Sequence, residues 1–595
     1  MPSALRTPYA TSLRYPRLGA MRGGFSPASL FVNGEQGFWY DPSDLSTLFQ
    51  DSAGTTPVTA VEQPVGLILD KSQGLTLGSE ALPALSSFAV NLFGTWAQSG
   101  GNWVFSDTVG GQVRPGVSSS TTLTAGWYKA VIVIASATGA TNVRIDGIGP
   151  DDRLFAAGTH TFYFRADAAA PVRVRLEDTS SSIGDGFAIK SFSIKSLPGY
   201  HASQSTSASR PVLSARYNLL TQTEDFLTGW AQNGLVTTGM TNVTTAPNGT
   251  QTADQLVESN TTGTHIDYRS VSGSKADTIS VAARANTRSV LTIGCNDNTS
   301  GNWSAAAFNL SAGTAATAQS AGTFSGISSI TPLGSGWYRC TLSVTSSGNA
   351  VGQIKFGVSD TTTPTFGSWA DYSYDGDGTS GIYIWGADLR VTNDGVGIPA
   401  YQRVAAATDY DTSGFPLYLK FDGTDDSLST ASIDFSATDK MSVFAGVRKL
   451  SDAAAGVVTE LSSNINSNNG AFIFAPGSYT TATGSLYHTS SKGTVIAPLN
   501  STTTFASPIT NVISALFDIA GDKNTIRING LQNAQSTDDQ GTGNYGNYPL
   551  YIGRRGGTTL PYNGRLYSLI VRGAQSTDAQ IASTEAWVNG KTGAY

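Results

Sequence analysis

A chain of 595 residues with 13% charged residues, 10% aromatics and a net charge of −7 is neither a disordered polymer nor a nucleic-acid binder. Disordered chains lack aromatic and β-branched residues, and nucleic-acid binding needs a basic face to neutralise phosphates. The 66 glycines, set among abundant Ser and Thr, predict many short strands joined by small-residue turns, an all-β chain of several antiparallel β-sandwiches or jelly rolls.

Residues 1–34 are the one basic stretch, with Arg6, Arg14, Arg17 and Arg22 and no acid before Glu35. They predict an extended N-terminal arm, either solvated or docked along a larger, acidic assembly. Residues 1–25 show no apolar signal core, and no run approaches the roughly 20 apolar residues of a membrane span, so neither export nor membrane insertion is expected.

Two modules follow, at about 78–197 and 217–393. GWYKAVIVIAS (126–136) matches GWYRCTLSVTS (336–346), TWAQSG (95–100) echoes GWAQNG (229–234), and each module ends on a strand, GFAIKSFSIKSL (186–197) or GIYIWGADLRVT (381–392). Apolar–polar alternation in HTFYFRAD (160–167), VRVRLED (172–178) and TISVAAR (278–284) predicts half-buried antiparallel strands. The two cysteines, Cys295 and Cys340, lie in such strands and are expected to be reduced core thiols. The C-terminal part carries strand candidates at 441–449, 511–520, 524–530 and 565–573. A short helix then starts at a Thr577–Gln580 capping box, with Ile581 and Val588 on one face and an end before Gly590.

No catalytic set is legible. The four histidines (His160, His201, His265, His488) fall in unrelated contexts, and no nucleophile motif or E-x-D-x-x-E strand is present, so the chain is not expected to be an enzyme. Calcium is a candidate at Asp371, Asp375 and Asp377 of DYSYDGDG, and less so at Asp422, Asp425 and Asp426 of FDGTDD; Asp and Gly also favour turns in their own right. Glycan contact needs exposed aromatics with polar neighbours. The candidates are Trp96, Trp103, Trp230, Trp303, Trp369 and Tyr372, with Arg554, Arg555 and Tyr562 facing an acidic polysaccharide. Packing is the competing role for every tryptophan.

Leu417, Leu419 and Phe421 lead into the acidic turn FDGTDD (421–426), and a later strand, YNGRLYSLIVRG (562–573), closes the chain before the helix. This order resembles the concanavalin-like (laminin G-like) jelly roll of lectins. Trp39, Asp41, Ser43 and Asp44, then Asp70, Lys71 and Ser72, then His201, Ala202 and Gln204, then Ser209, Arg210 and Pro211 match that family's motifs in order, with stretched spacing. The stretching implies one discontinuous domain (35–77, 198–216 and 405–595) interrupted by sandwiches at 78–197 and 217–404; the alternative is that 38–75 forms a separate anchoring element. The two modules resemble galactose-binding-like, carbohydrate-binding sandwiches of phage and glycosidase accessory domains.

The combination resembles bacteriophage fibre or spike proteins. It implies a virion component, assembled in the host cytoplasm and released by lysis. The arm would join other virion proteins, and the sandwiches would bind bacterial surface polysaccharide. A homo-oligomer, with a trimer favoured, would raise avidity, although no heptad stretch is present to drive one. The alternatives are a capsid decoration or cementing protein without a receptor role, and a polysaccharide depolymerase with binding modules.

Overall fold

The computed structural model describes residues 24–92, 96–106, 116–138, 143–146, 153–166, 171–176, 186–477 and 485–595. Arg6, Arg14, Arg17 and Arg22 lie outside them. The described chain is all-β, with antiparallel pairing throughout and one α-helix at the C-terminus.

Three stretches of chain meet in one jelly roll. An eight-stranded sheet runs in the order Val212–Ser214, Tyr418–Asp422, Asn563–Arg572, Lys440–Lys449, Ile509–Asp518, Lys523–Ile528, Leu531–Ser536, and Gly37–Tyr40 pairs beside Asn563–Arg572. It faces a nine-stranded sheet that begins Leu48–Phe49, Leu67–Ile68, Ala202–Ser203, Leu428–Thr430 and Leu550–Ile552. Phe38, Leu213, Phe421, Phe472 and Leu569 fill the space between them. Gly37–Tyr40 is buried at all four positions. Phe38 and Tyr40 enter this core, while Trp39 points the other way, into a second layer with Ile581 and Val588 of the helix. That second cover explains why GFWY is a continuous apolar run rather than an alternating one.

The helix, Asp578–Thr592, opens on the expected Thr577–Gln580 capping box. It runs through Gly590 and stops at Gly593, which takes the left-handed conformation (φ 59°). Gly590 lies in the last turn, where a glycine costs propensity but does not break the ladder. Residues 24–34 are not simply extended: Pro27–Phe31 forms a 3-10 turn capped by Ser26, and Leu30 and Phe31 are buried against the Trp39 layer.

The two modules are sandwiches. The first pairs two five-stranded sheets around Phe105, Ile132, Phe162 and Ile189. The second sets a seven-stranded sheet against a five-stranded one around Ile279, Ile293, Phe356 and Leu389. Cys295 and Cys340 are free and buried in that core, on opposite sheets.

The strand order of the two sandwiches corresponds closely, and the closing strands Gly186–Ser196 and Gly381–Val391 are equivalent, but the GWY and WAQ echoes do not mark equivalent strands. In the first, Gly158–Ala166, Gly126–Thr138, Gly186–Ser196 and Asn102–Ser106 are neighbours in that order. In the second the order is Trp337–Ser346, Ala276–Ala285, Gly381–Val391, Asp254–Val257. The strand GWYKAVIV therefore occupies the place of TISVAAR, and HTFYFRA the place of WYRCTLSV. The strands that contain letters of TWAQ and GWAQ, Trp96–Ser99 and Ala231–Asn233, fall in non-corresponding sheets. The echo is of local composition, a Gly–aromatic entry into an alternating strand, which recurs wherever a half-buried strand follows a turn. The second sandwich is tied to the jelly roll by Asp394, 3.1 Å from both Arg448 and Arg565, all three of them buried.

Candidate functional site

The outer face of the second sandwich's seven-stranded sheet carries the candidate site. Register places Gln353, Asn296 and Trp303 in one cross-strand row, and Lys355, Gly294 and Ala305 in the next. Alternate residues Ile293, Cys295 and Phe356 face the core. The chain then returns across this outer face through residues 366–372. The return lies close because position 294 has no side chain: a Cβ there would come within 3.1 Å of the Ala370 methyl.

Two successive residues of that return, Trp369 (φ 68°) and Ala370 (φ 64°), sit in the left-handed region without being glycine. Each costs on the order of 1–2 kcal/mol. The surrounding bonds hold them there. Trp369 N–H donates to the Ser300 carbonyl at 3.2 Å, Asn296 Nδ2 donates to the Trp369 carbonyl at 3.2 Å, and Gly367 N–H donates to the Asp371 carbonyl at 2.8 Å. The indole of Trp369 is consequently raised out of the surface and is 40% exposed. Trp303, Phe366 and the neighbouring Ala370 form a buried cluster, with Tyr372 packed against it.

Polar groups lie along the same return. Lys355 Nζ is 2.5 Å from Asp371 Oδ1, and Asn296 Nδ2 also donates to Gln353 Oε1 at 3.1 Å. Tyr372 donates its hydroxyl to Asp360 Oδ1 at 2.8 Å. Burial, then that carboxylate, pushes its phenol up to about 12. An exposed indole on a bonded backbone, in a return that also carries an amide pair and an ion pair, can stack on an apolar ring face and bond hydroxyls nearby.

Of the sequence candidates, the structure brings Trp303, Trp369 and Tyr372 together. It places the others elsewhere. Trp103 donates Nε1 to the Leu85 carbonyl at 2.6 Å and packs on the first sandwich's core. Trp230 is core, stacked on Phe226 at 5.4 Å. Trp96 begins an edge strand; its side chain lies outside the described residues. Arg555 is buried against Glu460 (2.8 Å), and Tyr562 is 1% exposed, donating to the Arg448 carbonyl. Arg554 bonds the backbone carbonyls of Asp425 and Thr558. Basic and aromatic letters in a glycine-rich loop read as a surface; here they serve the jelly-roll interior.

Asp371, Asp375 and Asp377 do not converge. Asp371 pairs with Lys355, Asp375 accepts from Thr262 Oγ1, and Asp377 accepts the Thr379 and Ser380 N–H groups; the Ser380 side chain first, then those N–H groups, hold it well below the usual carboxylate range. Among the described residues the three-carboxylate cluster is the other one: Asp422, Asp425 and Asp426 offer oxygens within 4.8 Å of one another. Burial, then the Asp422 charge, raises Asp426 to about 7. The oxygens serve the turn itself. Asp426 accepts the Asp422 N–H at 2.9 Å, and Asp425 accepts Ser209 Oγ at 2.8 Å, joining FDGTDD to SRP.

The remaining motif residues form a buried knot. Asp70 Oδ1 accepts the N–H groups of Trp39 (2.9 Å) and Ser72 (2.8 Å), while Oδ2 accepts Tyr200 N–H and Ser72 Oγ, both at 2.8 Å. The Asp70 N–H donates to His201 Nδ1 at 2.9 Å. Burial raises Asp70 to about 6 and lowers His201 to about 3. Lys71 bridges Asp41 (3.2 Å) and Asp44 (2.7 Å), and Lys591 of the helix reaches Asp41 at 3.1 Å.

A polar cavity of about 290 Å³ is lined by Glu224, Asp225, Asp254 and Arg403 among others. It brings three carboxylates to one cavity. Yet Asp254 spends both oxygens on the N–H groups of Phe226 and Asn242, and Asp225 caps Leu227 and Thr228.

No family model matches this chain, and no curated protein does. Among solved structures it is similar to the Ruminococcus gnavus IT-sialidase CBM40, at 13% identity over 28% of this chain and 96% of that one, with a TM-score of 0.22. It is also similar to the binding domain of Paraclostridial Mosquitocidal Protein 1 (14% identity, 28% of this chain, 43% of that one, TM-score 0.23). A third is the heptameric SAP-like pentraxin from Limulus polyphemus (12% identity, 27% and 78%, TM-score 0.22). Similarity at this level carries no argument about function, which rests on the geometry above.

Proposed function

We propose that the chain is a non-catalytic glycan-binding protein, and that it serves as a fibre or spike subunit of a bacteriophage, holding the particle to bacterial surface polysaccharide. The observation that carries the binding reading is Trp369, an exposed indole on two successive strained, non-glycine residues, in a return whose neighbours form a buried aromatic cluster. Strain of this kind is kept only where surrounding bonds over-determine it, and it clusters at ligand sites. A pyranose would lay its C–H face on the indole and turn its hydroxyls to Asn296, Gln353, Asp371 and Asp360. The virion setting is supported by the order of jelly-roll motifs and the basic arm. Weak single sites would act through several copies.

The deciding experiment is binding of labelled full-length protein to host cells with and without their surface polysaccharide, with sugar release scored in the same tube. Polysaccharide-dependent binding that Trp369→Ala abolishes supports the reading. Release of oligosaccharides overturns the non-catalytic part, and equal binding to both cell types overturns the receptor.

One observation favours a structural role as capsid decoration instead. The edge strand Phe324–Gly334 (FSGISSITPLG) carries no charge and exposes Ile327 (74%) and Leu333 (41%). Natural edges are guarded by charge, proline or a bulge; Pro332 and the register shift beside it guard one end here, and residues 324–331 remain suited to pairing with another subunit.

A further inference from the structure

The edge strand Phe324–Gly334 has Trp337–Ser346 as its strand neighbour, and among the described residues no backbone bond reaches the other side of residues 325–331. An open edge of this kind presents a row of unmade N–H and C=O groups and is a template for another strand. Its two faces are distinct. Gly326, Ser328 and Ile330 turn toward the facing sheet: a Cβ on Gly326 would come within 2.2 Å of Ser304 Oγ, Ser328 Oγ donates to the Ala316 carbonyl at 2.5 Å, and Ile330 packs on the core. Ser325, Ile327, Ser329 and Thr331 turn to solvent.

Two other uncharged edge strands are closed. Leu531–Ser536 is held by Thr502, whose N–H and Oγ1 donate to Asn533 Oδ1 (2.8 Å) and to the Asn533 carbonyl (2.9 Å), and Ile496–Asn500 carries Pro498. Residues 325–331 have neither device, because Pro332 and its register shift stand just beyond them.

The occupant follows from the sequence of the edge. SGISSIT (325–331) reads nearly alike from both ends about Ser328. A strand that pairs antiparallel with a copy of itself about a two-fold axis through Ser328 sets Ser325 opposite Thr331, Gly326 opposite Ile330 and Ile327 opposite Ser329 of the second copy. Each isoleucine then meets a small residue, the hydroxyls of Ser325 and Thr331 meet each other, and every outward side chain lies beside another outward one. A shift of one residue would set outward side chains beside inward ones. A shift of two draws in either Thr323, whose N–H already donates to Asn302 Oδ1 at 3.1 Å, or Pro332, which has no N–H to give.

Charge does not oppose the pairing. The chain carries a net charge of −7, so two copies repel at long range. Along the rows of Ile327 and Ser329, however, the next two strands present Ser343 and Thr341, then Thr278 and Ser280. An unrelated strand would have to match this face and this register by chance, whereas a second copy matches both by symmetry. We propose that two copies of the chain associate through this edge, Ser325–Thr331 pairing antiparallel with itself about Ser328 and joining two five-stranded sheets into one of ten strands. The association needs no sugar and lies on the other sheet of the sandwich from Trp369, so it stands apart from the glycan-binding reading. Each dimer carries two copies of the Trp369 surface, the multivalency that weak sites need.

The test is sedimentation velocity of the full chain from nanomolar to high-micromolar concentration, without sugar, beside hydrogen exchange of the same samples. A concentration-dependent dimer is expected, in which the amides of 325–331 exchange about tenfold or more slowly than in the monomer. Ile327→Lys, at a position 74% exposed, sets like charges near the axis and should raise the dissociation constant about tenfold or more with the melting temperature unchanged. Register is read by disulfide formation: Ile327→Cys mixed with Ser329→Cys should cross-link to each other and far less each to itself, while Cys295 and Cys340 stay buried. A monomer at every concentration, an assembly whose 325–331 amides stay unprotected, a dimer unmoved by Ile327→Lys, or cross-linking of Ile327→Cys only with itself would each overturn the proposal. None of these outcomes bears on glycan binding, which Trp369→Ala reads separately.

Discussion

Asp70→Asn tests whether the motif residues of the jelly roll are a structural weld. The change is isosteric and replaces one acceptor oxygen by an NH₂ donor. If the amide nitrogen takes the Oδ1 place it faces two backbone donors, Trp39 N–H and Ser72 N–H, neither of which can reverse. In the Oδ2 place it faces Tyr200 N–H and Ser72 Oγ, and a hydroxyl can rotate to accept. The second orientation is cheaper and leaves one orphan, the Tyr200 N–H, at about 1–3 kcal/mol. Hydrogen exchange reads this amide by amide. Tyr200 N–H should exchange roughly ten- to a hundredfold faster, at about 1.4 kcal/mol per tenfold, while Trp39 and Ser72 keep their protection. Asp70→Ala should release all three. Unchanged exchange at Tyr200 in Asp70→Asn, or equal loss at all three amides, would refute the bonding scheme.

Four further outcomes follow. Trp369→Gly should abolish polysaccharide binding while leaving the melting temperature unchanged or slightly higher, because glycine relieves the left-handed strain; a large drop in melting temperature would mean the indole is a packing residue. Arg555→Ala should destabilise the jelly roll by about 3–5 kcal/mol in urea unfolding, since it strands buried Glu460, and should leave glycan affinity unchanged; a loss of affinity at intact stability would return Arg555 to the binding surface. Asp267 is raised to about 9, by burial first and then by Asp254 and Asp225. Its folded pKa lies above the unfolded one, so the stability it confers is complete below about pH 4 and lost as pH rises towards 9. Asp267→Asn should flatten that slope in pH-dependent unfolding of the second sandwich, and an unchanged slope would exclude Asp267 as its source. Finally, deletion of residues 1–23 should leave stability intact, whereas deletion of 1–34 should lower it by removing buried Leu30 and Phe31; equal stability of the two would refute their packing.

Legibility in the sequence followed the range of the forces involved. Alternation is local, so TISVAAR and HTFYFRAD gave their strands directly, and the capping box at Thr577 and Gln580 gave the helix start. Strand order is not local. GWYK and GWYR look alike because both enter a strand from a turn, and only sheet pairing separates their places. The site behaved likewise. Trp303, Trp369 and Tyr372 were named for polar neighbours, yet what makes them a site is Gly294 on another strand, which lets the return chain lie low. Trp127 stands in a Gly–aromatic strand entry, and its packing against the His201 ring, 5.2 Å between centroids, arises only when the first sandwich meets the jelly roll.

The same pairing explains how one jelly roll carries two other sandwiches without losing its register. Ile68 pairs with Ala202, and Ser214 pairs with Tyr418. The chain leaves for each sandwich from one strand and returns on the strand beside it, a separation of about 5 Å. Each sandwich therefore replaces a hairpin turn, and a sandwich whose ends lie close satisfies that constraint. The cost of such an exchange is loop closure, which grows only slowly with length. What holds orientation is then the contact at each junction: Tyr163 with the Phe49 ring and the Ala53 carbonyl at the first, Asp394 with Arg448 and Arg565 at the second. Asp394→Asn should leave both sandwiches folded and loosen the second from the jelly roll, because one carboxylate there answers two buried guanidinium groups. Small-angle scattering would show the variant longer than wild type. An unchanged profile with unchanged stability would mean that the apolar contacts around Tyr217, Phe415 and Tyr567 suffice to hold the junction.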